Sequence, residues 1–436
     1  MLIPWIVLML EGLVSKLFFD LIPNNSTIIS VTVIAVNSLS FCVGVIFAYR
    51  EKHDVIYMMI GGFLLRMGLF VWDMNYRNIF LLPASGYDTE SYAAWASNGF
   101  LTGDYLRGGV YPRFIAFWYW FFNVQRPIAQ YINILLAMTA VSLVIGTMKY
   151  LKIDEGVCRV TTALMCFLPN SGIINAILLR ETLIMFLIAV SLCFFARYIK
   201  EGSIPGLLAS IAVVIASSSI HSGAIAVLLG EIIAIILYDR REYAMRITPK
   251  SIALTVAAIV GFIAMYVLLK DVLFAKFNGI ETAENVIDSA KRFNVGGSAY
   301  DAGFNIENST LNLIVNTPIR MFYFLASPLP WNWRGVSDIF AFCFSSSVFL
   351  YAHFRSFVEI THSVRSERRS MIIIFTIIGL CCALIFAWGV SNAGTAMRHR
   401  EKFLMVYILL IALCNNNQLC RKRAMPVRRK IGNDHD

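Results

Sequence analysis

The amino-acid sequence predicts an all-α, polytopic integral membrane protein, and three observations predict it. Of the 436 residues, 58% are hydrophobic and only 15% charged, where an ordinary soluble chain carries about a quarter charged residues. Apolar runs recur along the whole chain, each near the roughly 20 residues that a helix needs to cross hydrocarbon. Basic residues gather at every second connection between those runs, the pattern that marks cytoplasmic loops. The net charge of +10, beside a mean hydropathy of +0.68, therefore reads as topology and not as a nucleic-acid groove, and no nucleic-acid partner is expected.

Taken in order, the apolar runs fall near 2–20, 28–49, 55–73, 128–149, 157–176, 180–198, 204–219, 222–238, 250–270, 337–354, 371–391 and 402–418, which predicts about twelve transmembrane helices. The start Met1-Leu2-Ile3-Pro4-Trp5 lacks the basic residues of a cleaved leader and is kept as membrane segment. The basic connections hold Arg50 and Lys52, then Lys149 and Lys152, then Arg197 and Lys200. Arg240, Arg241, Arg246 and Lys250 follow, then Arg355, Arg365, Arg368 and Arg369. Facing all of them inward places both termini in the cytoplasm. Residues 1–420 form one transmembrane domain, and 421–436 form a basic cytoplasmic tail. The two longest connections, 74–127 and 271–336, then lie outside with short turns near 21–27, 170–180, 220 and 392–401. Long ordered connections in a compact protein are more often functional than incidental. The nine cysteines include no CxxC pair and read as small buried hydrophobes.

Four external features carry candidate chemistry. In the first long loop Asp88, Ser91, Tyr92 and Trp95 share one side of a short helix by their spacing. The aromatic run Phe117-Trp118-Tyr119-Trp120-Phe121-Phe122 reads as an interfacial helix. A carboxylate held there, Asp88 or Glu90, can act as general base toward a sugar hydroxyl; Asp88 as a helix cap is the structural alternative. Arg180 and Glu181 open an apolar helix at its outer end, where an ionisable pair is costly unless it is used. An arginine there can grip phosphate, while snorkelling is the alternative. His221 follows three serines at another outer turn. Ala396-Met397-Arg398-His399-Arg400-Glu401-Lys402 concentrates cations on the outer side, against the positive-inside tendency, as an external anion would explain. In the second long loop Arg320 precedes Ser327-Pro328-Leu329-Pro330-Trp331-Asn332-Trp333, a weaker signal for a sugar platform. Within the membrane, Arg66 and Glu231 are a candidate pair across helices. No acidic metal pair stands out, so neither metal nor cofactor is expected.

The chain has no Walker A sequence, no GxGxxG after a strand, no HExxH and no GxSxG. Taken as a sugar transferase, it would use a lipid-phosphate donor rather than a soluble nucleotide sugar. The acidic helix Gly86-Tyr87-Asp88-Thr89-Glu90-Ser91-Tyr92, with Tyr111-Pro112 after it, resembles the GT-C superfamily of polyprenyl-phosphate-sugar glycosyltransferases. Leu179-Arg180-Glu181, Ser327-Pro328-Leu329-Pro330-Trp331 and Met397-Arg398-His399-Arg400 resemble bacterial oligosaccharide repeat-unit polymerases of the Wzy type. The resemblance implies transfer of a sugar or a repeat unit from an undecaprenyl-linked donor to an acceptor at the outer face of the bacterial plasma membrane, in surface polysaccharide assembly. It implies Asp88, or Glu90, as base; Glu181 and His221, from the residues themselves, are further catalytic candidates. The resemblance maps donor- or acceptor-phosphate binding to Arg180, Arg398 and Arg400; Arg113 is a further phosphate-binding candidate, and Trp331 and Trp333 are candidates to stack on sugar. Its partners would be membrane lipids and other polysaccharide-assembly proteins. One departure is that Thr89 separates Asp88 from Glu90, where many GT-C enzymes carry adjacent acids. The alternative class is a lipid-linked oligosaccharide flippase or another twelve-helix secondary transporter, which predicts charges around a midplane cavity, an internal repeat and short outer loops.

Overall fold

The computed structural model describes residues 1–17, 26–104, 108–240, 242, 244–257, 260–261, 283–292, 294, 296–300, 302 and 310–416. Most of the expected run 250–270, residues 271–282 and the basic tail 421–436 lie outside the described residues. The helices named here are α1 (Ile3–Leu17), α2 (Ser26–Tyr49), α3 (His53–Asn75), α4 (Tyr87–Thr102), α5 (Val110–Phe122), α6 (Arg126–Tyr150), α7 (Glu155–Phe167), α8 (Pro169–Ala176) and α9 (Glu181–Glu201). After these come α10 (Ile204–Ile220), α11 (Ile225–Leu237), α12 (Ala283–Arg292), α13 (Thr310–Ala326), α14 (Val336–His362), α15 (Glu367–Ala387), α16 (Ala393–Glu401) and α17 (Leu404–Cys414). A two-residue antiparallel ribbon pairs Tyr238–Asp239 with Ala244–Met245.

Helices α2, α3, α6, α9, α14 and α15 are each long and apolar enough to cross a membrane, and the pair α7–α8, bent by 50°, makes a seventh if taken as one span. The protein is therefore a helical protein with a membrane-embedded body. The expected twelve are met only that far. The runs at 204–219, 222–238 and 402–418 are helical, yet α10, α11 and α17 have 17, 13 and 11 residues, short of the roughly 20 a span needs; the described part of the run at 2–20 carries the 15-residue α1. A tight turn over Ser222–Ala224 precedes α11, and a turn at Lys402 and Phe403 precedes α17.

The core forms around α6 and α17. Every residue of α17 is buried, and so is most of α6. Glycines let neighbouring helices touch, as small residues do in membrane packing. A Cβ on Gly62 of α3 would sit 2.8 Å from Cys166 Cβ of α7, and one on Gly230 of α11 would sit 2.6 Å from Ile378 Cα of α15.

Buried arginines finish the helix ends. The last carbonyls of a helix lack internal partners, and leaving them bare in an apolar setting is costly. At the α7–α8 break Arg66 donates to the carbonyls of Met165 (3.0 Å) and Cys166 (2.8 Å). At the end of α15 Arg320 donates to those of Ala387 (2.8 Å) and Val390 (2.9 Å). Arg400 serves the end of α13, donating to Phe324 (3.2 Å), Leu325 and Ser327 (2.8 Å). Arg368 does the same for Leu413 and Cys414 at the end of α17. The expected Arg66–Glu231 pair is not formed, because Arg66 is spent on carbonyls while Glu231 accepts from Ser191 (3.0 Å) and Ser210 (2.8 Å).

Candidate functional site

The first long connection is pinned to the bundle before it offers any chemistry. Asp73, fully buried at the end of α3, accepts from Ser85 Oγ (2.6 Å) and Gln130 Nε2 (3.0 Å), and Arg77 Nε lies 3.4 Å from it. Glu90 of α4 takes a two-pronged grip from Arg126 of α6 (2.6 and 2.9 Å) and a further bond from Arg77. The hydrogen bonds from Arg126, with Arg77 beside it, hold the Glu90 carboxyl down at about 2 against its ordinary 4.5. Tyr111, buried in α5, shares hydrogen bonds with Asn133, whose amide in turn donates to the carbonyls of Ile177 (2.9 Å) and Leu179 (3.0 Å). That chain of contacts sets where α9 begins.

Asp88 is not the cap of α4. Gly86 holds the N-cap position, at a φ of 140° that suits glycine, and Thr89 Oγ1 accepts from its N–H (3.1 Å). The Asp88 carboxylate is therefore available to turn elsewhere, and it meets Arg398 of α16. Arg398 Nε also donates to Glu181 Oε1 at 2.9 Å, and Lys402 Nζ lies 3.6 Å from the same oxygen. Burial works against the Arg398 charge, but Glu181 and then Asp88 outweigh it and raise its pKa further. Glu181 and Lys402 are fully buried, whereas Asp88 keeps a side-chain exposure of 43%.

Two groups in this cluster are left incomplete. The buried Glu181 Oε2 accepts no hydrogen bond, and buried Arg180 Nε donates none. The Arg180 guanidinium lies 5.9 Å from the Tyr92 ring centre, and Tyr92 is one helical turn on from Asp88. Lys402 Nζ is 2.5 Å from His399 Nδ1, so that nitrogen serves as the acceptor. His221 Nδ1 accepts from Gly223 N (3.1 Å), and the His221 ring lies 5.3 Å from that of His399, with Phe386 against both.

Residues from α4, the start of α9, the α10–α11 turn and α16 thus meet in one place, and Asp88, Arg180, Glu181, His221 and Arg398 are among them. The other expected residues stand elsewhere. Glu90 is tied to Arg77 and Arg126. Arg400 points away from the cluster into the carbonyls at the end of α13, and Arg113 is exposed on α5. Trp331 and Trp333 line a separate groove with Ala393, the first residue of α16. Lys402 and His399 join the cluster beside Arg398. Helical spacing is the signal that finds Lys402, four residues after Arg398 and so one turn along the same face. Among the described residues, no three His, Cys, Asp or Glu side chains gather as a metal-holding group.

No family model, no curated protein and no solved structure matches this chain.

Proposed function

We propose that the chain is a membrane glycosyltransferase or repeat-unit polymerase that moves a sugar or an oligosaccharide from an undecaprenyl-linked donor to an acceptor hydroxyl in surface polysaccharide assembly. The observation that carries this reading is the cluster of Asp88, Arg180, Glu181, Arg398 and Lys402 at one end of an apolar helical body, with an arginine and a carboxylate oxygen left without hydrogen-bond partners. Buried charge is expensive, so an incomplete set of charges at a membrane protein's end points to a ligand. Three cations against two carboxylates favour an anionic one, and a lipid pyrophosphate is such an anion.

The chemistry follows from that placement. The acceptor hydroxyl oxygen attacks the anomeric carbon and forms the new glycosidic bond, while the bond from that carbon to the phosphate oxygen breaks. The bonding electrons leave on the pyrophosphate, where Arg180, Arg398 and Lys402 stabilise the developing charge. The hydroxyl proton passes to Asp88. The donor phosphate competes with Asp88 for Arg398, so donor binding frees the carboxylate to act as base. Glu181, shielded inside the cluster, holds Arg398 and Lys402 for the donor phosphate.

Orientation belongs to the same proposal. Lys52 pairs with Glu155, Lys200 donates to the Tyr150 carbonyl, and Arg355 and Arg368 donate to the Cys414 carbonyl. Asn416 donates to the Lys152 carbonyl (3.2 Å), which joins these basic groups at the end of the bundle away from Asp88. With that end in the cytoplasm, both termini are inside and the cluster faces outward across the bacterial plasma membrane.

The test is to replace the gene with Asp88→Asn and with Arg180→Met, then to profile surface glycan and lipid-linked intermediates by gel and mass spectrometry. Single repeat units building up on the lipid, with long chains lost, is the polymerase outcome. Full-length chains missing one branch sugar indicate a single-sugar transferase. Normal assembly with both variants removes the proposal, and completed intermediates trapped in the inner leaflet favour the flippase.

A further inference from the structure

A second concavity opens beside α16, at the opposite end of that helix from Arg398. It has a volume of about 280 Å³, and its lining includes Ser298, Tyr300, Tyr323, Trp331, Asn332 and Trp333. Its walls are held in place. Ala393 N donates to the Ser298 carbonyl (2.9 Å), Tyr300 N to that of Ser391 (3.0 Å) and the Tyr300 hydroxyl to that of Val390 (3.0 Å). On the facing wall Trp331 Nε1 donates to the Tyr323 hydroxyl (3.3 Å) and Trp333 Nε1 to the Pro328 carbonyl (3.2 Å). Trp331 is nevertheless 66% exposed, a large indole fixed at its polar edge with its faces left open.

The chemistry of the groove narrows what fits. Arg334 is the charged residue of the lining, and Asp338 pairs with it at 3.2 Å. A phosphate or a carboxylate therefore meets little net attraction. Four aromatic rings with hydroxyl and amide groups at their edges suit a rigid ring that is apolar on its faces and polar around its rim, which describes a pyranose. The volume sits just under the roughly 300–1,000 Å³ of pockets for drug-sized ligands, so one or two sugar rings fit. Ala393 lines the groove, and Arg398 follows five residues later, about 7.5 Å along the axis at the usual helical rise. One saccharide can therefore reach from the groove to the charge cluster.

We infer that this groove holds uncharged sugar rings of the acceptor glycan, those next to the attacking hydroxyl. The word acceptor rests on the transferase reading above; the sugar site itself does not. The test uses the full chain in the cells that produce it, with a photo-crosslinking residue in place of Asn332. After irradiation the purified chain is stained for covalently attached carbohydrate. Irradiation-dependent sugar on the chain is expected, reduced about tenfold by Trp331→Ala and largely restored by Trp331→Phe. Sugar no greater than with the same crosslinker at Val364, exposed at the other end of the bundle, overturns the inference, and so does capture of lipid without sugar. Asp88→Asn in the same cells separates the two readings. Sugar capture with normal glycan assembly keeps the groove and removes the transferase. Lost assembly without sugar capture does the reverse.

Discussion

Two sets of charges at opposite ends of the helical bundle, the Asp88 cluster and the Arg159–Asp54 group, sit in opposite surroundings, and the second end adds the buried Arg368–Glu359 pair. At one end Glu181, Lys402 and Arg398 are packed into the protein, with side-chain exposures of 0%, 0% and 16%. At the other, Arg159 meets Asp54 at 2.9 Å with exposures of 57% and 40%, and Arg50 and Glu51 are more open still. Exposed pairs form and break at little cost, because water replaces each partner. Buried charges lose that replacement and persist only where their neighbours hold them or a ligand uses them. The difference teaches where to look for function, since the cluster at the first end also contains the incomplete Glu181 Oε2 and Arg180 Nε.

The sharpest test of that contrast is removal of one buried partner. Glu181→Gln keeps the shape but leaves Arg398 and Lys402 without their shared oxygen's charge, and roughly 3–5 kcal/mol of stability should be lost, as for other broken buried pairs. Arg400→Met should cost about as much, because the carbonyls of Phe324, Leu325 and Ser327 lose this donor at around 1–3 kcal/mol each. Thermal unfolding in detergent reads both. A midpoint unchanged by either variant breaks the comparison.

Arg180→Met should separate stability from binding. This side chain gives no hydrogen bond to any described acceptor, so little of the fold depends on it. Stability from thermal unfolding should stay within about 1 kcal/mol of the parent protein, while affinity for a polyprenyl pyrophosphate should fall about ten- to a hundredfold with the loss of a charge-assisted bond. A large midpoint shift with unaltered affinity would make Arg180 a structural residue.

Much of this arrangement is legible in the sequence, for a physical reason. Ionisable residues at the edge of an apolar run are costly, which singles out Glu181 and Arg398, while helical spacing in the first long loop singles out Asp88; contacts across 217 and 310 residues then bring the three together. The apolar runs likewise mark most helices, 157–176 included. What the runs do not reveal is where a helix stops. The break between Phe167 and Pro169 and the short lengths of α11 and α17 come from local turns that a hydropathy reading smooths over. Nor do they show that Arg398 and Arg400, two residues apart, have opposite fates. That depends on 393–401 being helical, which turns Arg398 and Lys402 to one face and Arg400 to another. Arg66 and Arg320 were equally opaque, because their partners are backbone carbonyls, which no side-chain pattern advertises.

Glu90 offers an intermediate effect with a pH signature. Its folded pKa, about 2, lies below the ordinary 4.5, so its contribution is fully present above pH 4.5 and fades as the pH falls toward 2. Protease cleavage within 76–86 should rise across that window in the parent protein. In Glu90→Gln it should be raised already at neutral pH and change less on acidification, because the grip of Arg77 and Arg126 is gone throughout. The same pH response in both proteins would mean that another acid holds α4.

The smallest effect belongs to the exposed pair at the other end. Asp54→Asn breaks the Arg159 pair in a setting where both groups already see water, and surface pairs of this kind contribute about 0–1 kcal/mol. Stability should change within that range and change less still at high salt, where the pair is screened in the parent protein too. Glycan assembly should be unchanged, since Asp54 sits at the start of α3 and the Asp88 helix follows its far end. A loss approaching that of Glu181→Gln would mean that burial does not set the energetic ranking of these charges, and the case for the Asp88 end as the functional one would lose its physical basis.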